Sequence, residues 1–375
     1  MSTITFTVTD EQQLLRDTVR DALRKRATSA RVREVMMTDE AVDEEGWREL
    51  AGLGLVGLLV AEADGGSGAG VVEAAIVAEE LGRVLLPVPY LASAVLAATV
   101  LTNAASADQR AAVLPSIAAG TTVATLAHLD AAGRLTADPG VRAVRDGDDW
   151  VLDGEAGFVL DGLRADTIVT AATSDDGLQL FLVAAATPGL HRERVPVLDL
   201  TRPMATVRYE GVRLAGSDRL TGGDATVALH RALRTASAVL ANEQVGGAAR
   251  CLEDATAYAK ERIQFGRAIG SFQAVKHKLA ETLVKVESAR SAAYHAAQAV
   301  AADDAQEAAV AVPLAASYVA EVYETASADA LQIFGGIGFT WEHDIHLYFK
   351  RAKASKLLLG SPRHHRRLLG DVLGV

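Results

Sequence analysis

A chain of 375 residues, half of them hydrophobic, is long enough for two or three domains and a substantial core, while a formal net charge of −11 without a concentrated Lys/Arg stripe argues against a nucleic-acid binder. The single cysteine, Cys251, rules out an intrachain disulfide, is expected to pack as a small hydrophobe, and fits a reducing, cytoplasmic setting. The first ten residues lack the basic start and apolar run of a signal peptide, and no uncharged apolar stretch reaches the roughly eighteen residues of a spanning helix, so neither secretion by that route nor integral membrane association is expected.

Helical signals fill the first third. Thr9 stands three residues before Gln12, and Leu14, Leu15, Val19 and Leu23 recur at helical spacing, which predicts a capped amphipathic helix. A second helix is expected from about Asp43 through Trp47 and Leu50, and a glycine-rich loop follows it. A third covers about Val71 to Leu81. Pro87-Val-Pro89 separates it from an Ala/Leu-rich helix starting near Leu91, and a short helix follows around Ala107 to Ile117.

From about Gly120 the period changes. Thr121–Thr125, Trp150–Leu152, Thr167–Thr170, Leu178–Val183 and Ala205–Tyr209 are β-rich runs separated by Asp/Gly turns, which read as a small antiparallel β-domain. After Gly222-Gly223 the helical pattern returns over Ala225 to Lys260, Phe272 to Ala301 and Gln306 to Ile333. Helices of that length imply a bundle with two or more buried faces. Pro313 is expected to kink the third or to sit in its first turn. The basic His364-His-Arg-Arg367 run reads as a helix start or a phosphate contact.

Two segments carry the chemistry: Glu261-Arg-Ile-Gln-Phe-Gly-Arg-Ala-Ile-Gly-Ser-Phe-Gln273 and Gln332-Ile-Phe-Gly-Gly-Ile-Gly-Phe339. Each follows a long helical pattern, and together they combine glycines that let a ligand approach the backbone with side chains that offer hydrogen bonds. In this order, with Trp47–Leu55, Glu79-Glu-Leu-Gly82, Asp153-Gly-Glu155 and Tyr258–Arg262, they resemble the acyl-CoA dehydrogenase family, flavoproteins that desaturate acyl-CoA thioesters. The resemblance covers almost the whole chain. It implies an α+β multidomain fold: an N-terminal helical domain over residues 1–119, a middle β-domain over 120–221 and a C-terminal four-helix bundle over 222–375.

The resemblance also implies a cofactor, flavin adenine dinucleotide (FAD), contacted by Arg262, Phe265, Gln273, Gln332, Gly335 and Gly336, with the two halves of the site meeting across a subunit interface in a tetramer. A guanidinium at position 262 can hold a pyrophosphate by paired hydrogen bonds. The middle domain departs from the family. Where members carry Thr-Glu-Pro-Gly-X-Gly-Ser-Asp against the flavin ring, this chain reads His128-Leu-Asp-Ala-Ala-Gly-Arg-Leu135, which keeps only the acidic residue and one glycine. The next strand reads Gly157-Phe-Val-Leu160, where Phe158 offers aromatic surface or simply packs in the core.

Desaturation needs a carboxylate to take the α-proton while a hydride leaves to the flavin. At the position before Gly360, where most members place it, stands Leu359; at the position used by other relatives stands Ala236. Glu243 remains, two turns beyond Ala236 on the same helix, as the candidate base or, equally, as half of an ion pair with Arg250 or Lys260. Asp199 and Arg202 are expected to pair locally. The His343, Asp344 and His346 cluster lacks a zinc spacing, and no metal site is expected. Three readings follow: an FAD-dependent acyl-CoA dehydrogenase passing electrons to an electron-transfer flavoprotein, a catalytically reduced partner subunit completing a shared FAD site in a heterotetramer, or a flavin-dependent relative with a different reaction.

Overall fold

The computed structural model describes residues 8–375. In chain order its helices are α1 (Asp10–Arg26), α2 (Ser29–Val35), α3 (Glu44–Gly52), α4 (Val71–Val84), α5 (Ala98–Ala104) and α6 (Ala107–Ala118). The strands β1 (Ala124–Ala127), β2 (Val141–Asp146), β3 (Asp149–Leu160), β4 (Thr167–Ser174), β5 (Gly177–Ala184), β6 (Leu190–Arg194) and β7 (Met204–Leu214) follow. Then come α7 (Ala225–Glu261), the short pair β8 (Ile263–Gln264) and β9 (Arg267–Ala268), α8 (Gln273–Ala301), α9 (Ala305–Phe334), α10 (Ile345–Ser355) and α11 (Pro362–Leu373). No helix among the described residues is long and apolar enough to cross a membrane. The chain forms two compact units: one holds the described residues up to Val32, Val71–Leu86 and Ser237–Val375, the other Arg33–Gly70 and Pro87–Ala236.

The second unit contains a seven-stranded sheet in the order β1-β4-β2-β3-β7-β6, with β5 also on β4. The expected antiparallel pairing holds for β2·β3, β3·β7, β4·β5 and β6·β7. β1 and β2 instead pair with β4 in parallel, so the sheet is mixed. Parallel partners need a long crossover, and the β2–β3 hairpin, placed between β1 and β4 in sequence, provides it for β1. β2 and β6 are strands that the apolar runs did not reveal: β2 buries only Val141 and Ala143, and no residue of β6 is fully buried. Trp150 meets Phe181 edge to face at 5.4 Å in the core of the sheet, and the hydroxyls of Thr170 and Tyr209 bond at 2.7 Å within it. The Ala/Leu-rich segment after Pro89 begins as a π-helix over Tyr90–Ala97, all of it buried, before α5. Asp199 turns back on Thr201, accepting from its amide at 3.0 Å and its hydroxyl at 2.5 Å.

The first unit is helical. Thr9 and Gln12 form the capping box that starts α1, Asp304 caps α9, and Ser361 with Pro362 starts α11, so His364-His-Arg-Arg367 is the opening of that helix. Pro313 lies well inside α9, not in its first turn, and the helix runs on through it. The buried Glu79 and Glu80 of α4 are neutralised by arginines: Arg16 reaches Glu79 at 2.7 Å, Arg290 and Tyr294 also bond Glu79, and Arg20 forks onto Glu80 at 2.9 and 2.7 Å. α4 then crosses α7 backbone to backbone. A Cβ added at Gly82 would lie 1.9 Å from the Glu243 carbonyl oxygen, and one at Gly246 1.9 Å from that of Glu79. Asn242 of α7 donates to Ala293 of α8 at 3.0 Å, and Tyr323 of α9 packs against Gly247. Cys251 is buried nearby, and burial pushes its thiol pKa well up.

Candidate functional site

The antiparallel run of α7, α8 and α9 brings both motif segments to one end of the bundle. Between α7 and α8 the chain turns through the β8–β9 hairpin, where Phe265 (φ 51°) and Gly266 (φ 76°) occupy the two central positions. Positive φ at both is the twist that a two-residue hairpin requires. Phenylalanine adopts it at a cost of about 1 kcal/mol. Its ring stands 92% exposed, edge-on to Phe272 at 6.1 Å, while the Arg267 guanidinium covers Phe272 at 4.1 Å.

Arg262 anchors this turn through its backbone, its amide donating to Tyr258 and its carbonyl accepting from Ile269, both at 2.8 Å. Its side chain is exposed and makes no ion pair among the described residues. Gln273 is the exposed first residue of α8. Gln332 is exposed in the last turn of α9, which ends on Gly335 (φ 63°). A Cβ at Gly335, Gly336 or Gly266 would meet nothing within 4 Å, so open space borders all three.

The end of α7 meets the second segment: the Tyr258 ring packs on Phe334 at 4.6 Å, and His343 covers Phe334 at 4.0 Å. Within one chain, α9 runs antiparallel to α8 and returns to the end where α7 stops. His343 also accepts from the Ile345 amide at 3.1 Å, and His346 lies edge-on to Trp341 at 4.9 Å. Among the described residues no group of three or more His, Cys, Asp or Glu could hold a metal ion.

The segments that the resemblance sets against a flavin ring are built differently. In the second unit the loop after β1 is wound around Asp130, whose side chain accepts from the amides of Ala132 at 3.0 Å and Arg134 at 2.8 Å. Its backbone carbonyl takes the amides of Gly133 at 2.8 Å and Gly157 at 3.1 Å. The Arg134 amide, foremost, holds the Asp130 carboxyl below its ordinary pKa. Phe158 (φ 52°) lays its ring on Gly133, where a Cβ would come within 2.4 Å of it. The amides of Ala132, Gly133, Arg134 and Gly157 are thus taken up by Asp130 of the same chain. His128, which begins the segment, is buried; no partner for its Nε2 is found among the described residues, and burial lowers its pKa to about 4.

In the first unit Leu359 is buried in a left-handed conformation (φ 58°), and a cavity of about 10 Å³ beside it, bordered by Gln244, Lys356 and His365, has room for about one water. Burial lowers the His365 pKa to about 4. Glu243 is 8% exposed, and Arg351 of α10 donates to it at 2.9 Å. The ion pair read from helical spacing therefore exists with a different partner, while Arg250 turns to Asp254 at 2.8 Å. Spacing along α7 could not reveal a cation 108 residues away.

This arrangement stands beside known relatives. Residues 9–121 match the acyl-CoA dehydrogenase N-terminal domain family and residues 225–374 the acyl-CoA dehydrogenase C-terminal domain family. The chain is 39% identical to acyl-CoA dehydrogenase IpdE2 of Mycobacterium tuberculosis, covering 98% of this chain and 99% of that one. It is 33% identical to acyl-CoA dehydrogenase FadE27 of the same organism, covering 98% of each. Among solved structures it superposes with a TM-score of 0.91 on a chain of the ChsE4-ChsE5 complex from Mycobacterium tuberculosis, at 30% identity over 99% of both chains. With its fold, its two glycine-bearing motif segments and relatives that match end to end, the chain belongs to the acyl-CoA dehydrogenase family.

Proposed function

We propose that this chain is the catalytically reduced partner subunit of a heteromeric acyl-CoA dehydrogenase, completing an FAD site shared with a companion dehydrogenase chain. Arg262, Phe265, Gln273, Gln332, Gly335 and Gly336 would hold the dinucleotide end of FAD, and the companion chain would supply the flavin-ring contacts and the carboxylate. FAD, when bound, accepts the hydride of α,β-desaturation of an acyl-CoA and passes electrons to an electron-transfer flavoprotein. One contrast carries the reading: the dinucleotide-facing groups are exposed and beside open space, whereas the Asp130 loop, Leu359 and Glu243 are engaged by their own chain. That a relative's structure is a complex of two named chains supports it.

The rival reading makes the isolated chain an acyl-CoA dehydrogenase with Glu243 as base, and the Arg351 pair weighs against it. Flavin stoichiometry separates the two. Purified alone, the chain should be pale; co-expressed with a companion dehydrogenase chain, the assembly should be yellow and bleach with acyl-CoA. Arg262→Met in this chain should then strip flavin from the assembly. Full yellow occupancy and bleaching in the isolated chain would reject the proposal.

A further inference from the structure

Charge, more than apolar surface, holds α1 to the rest of its unit. Of its 17 residues only Val19 and Leu23 are buried, and both lie in its second half. The first half reaches its neighbours through polar groups: Gln12 donates to Glu73 of α4 at 2.9 Å, and Arg16 donates to Glu79 of α4 at 2.7 Å and to the Tyr294 hydroxyl of α8. Leu15 is only partly buried against the small cluster of Val72, Ile76 and Tyr294. Arg20, its side chain 48% exposed, forks onto Glu80. Between α1 and α8 the packing is incomplete, and a cavity of about 290 Å³ opens there, bordered by Gln12, Arg16, Val72, Arg290, Tyr294 and Gln298.

The carboxylates beneath α1 are neutralised twice. Glu79 also takes Arg290 and, at 2.9 Å, the Tyr294 hydroxyl, both from α8, and Glu80 has Arg83 of its own helix at 3.8 Å. A buried carboxylate with a single cation is stranded when that cation leaves. These two keep a partner without α1. We infer that α1 is a strap latched by charge, which swings about its C-terminal end and uncovers the groove over Val72 and Tyr294 while α4 and the bundle stay folded. Ala27 leaves the helical conformation (φ −87°, ψ 57°), which places the pivot between α1 and α2. Opening exposes few buried apolar side chains, those of Val19 and Leu23 with part of Leu15. Ionic strength then governs access to the groove, because salt screens the partly exposed pairs of α1 and leaves the packing beneath them unaltered.

Hydrogen exchange of the full-length chain, followed peptide by peptide, reads the opening. The α1 amides should be less protected than those of α4 along their whole length, and the protection of α1 relative to α4 should fall roughly threefold or more between low salt and about 0.5 M NaCl. Arg16→Gln should lower that relative protection about tenfold, as expected for one lost charged hydrogen bond. Arg290→Met should do the opposite. Two guanidiniums share the Glu79 carboxylate, so removing the one on α8 strengthens the hold of Arg16 and leaves Glu79 with Tyr294 alone when α1 lifts. Equal protection of α1 and α4 at every salt concentration means that the helix comes away only on global unfolding, and overturns the inference. Lost protection confined to the residues before Leu14 is ordinary end fraying and overturns it too, as does a less protected α1 in Arg290→Met.

Discussion

Replacing Glu243 by glutamine separates a structural carboxylate from a catalytic one. Glu243 and Arg351 are 8% and 4% exposed and bond at 2.9 Å, so glutamine removes the negative charge that faces a buried guanidinium. Breaking such a pair costs about 3–5 kcal/mol, and because glutamine keeps an acceptor oxygen the expected loss is near the lower end, about 3 kcal/mol. For a unit of this size that lowers the Tm by roughly 6–12 °C. Thermal and urea unfolding of Glu243→Gln, Arg351→Met and the double variant measure it. The double variant should recover most of the loss, because two neutral groups of similar volume no longer strand a charge. An unaltered melting temperature in Glu243→Gln, together with lost acyl-CoA bleaching in a flavin-loaded assembly, would refute this reasoning and restore Glu243 as the base.

Other outcomes follow from single contacts. Gly246→Ala puts a methyl 1.9 Å from the Glu79 carbonyl oxygen and should destabilise by about 3 kcal/mol or prevent folding, whereas Gly52→Ala, which meets nothing within 4 Å, should be nearly neutral in the same urea titration. His128 and His365 both hold folded-state pKa values of about 4 against an ordinary 6.5. The unfolded chain therefore takes up their protons first as pH falls: their stabilisation is intact above about pH 6.5 and lost down to about pH 4, by roughly 3 kcal/mol each at the limit. His128→Phe should flatten the pH dependence of the urea midpoint across that window, and an unchanged slope would show that His128 titrates normally. Asp130→Ala should release the amides of Ala132 and Arg134, read as faster hydrogen exchange confined to that loop; unaltered exchange would show that the turn does not depend on the carboxylate.

The long helices were legible because their apolar period and caps are local properties. Thr9 and Gln12 announce α1, and the three long runs of the bundle match α7, α8 and α9 nearly to the residue. The Arg262 and Gln332 segments were legible for the same reason, since each is a contiguous turn following a helix. What the sequence hid depends on partners remote in the chain. β2 and β6 carry too little buried surface to stand out, and the parallel pairings of β4 reflect the connection between strands, not their composition. The Arg351 partner of Glu243 arrives from another helix, and the self-bonded loop around Asp130 needed Gly157 and Phe158 folded onto it.

The contact of α4 with α7 through Gly82 and Gly246 works as a gauge block. With no side chain interposed, the two helix axes cannot creep past one another in small steps, since even one methyl must push a carbonyl aside. α7 is unbroken from there to Glu261, so a displacement at Gly246 travels roughly 22 Å along a rigid rod and reappears at the Phe265 hairpin. The backbone position of Arg262 is thus set far back along α7, at a glycine pressed against α4.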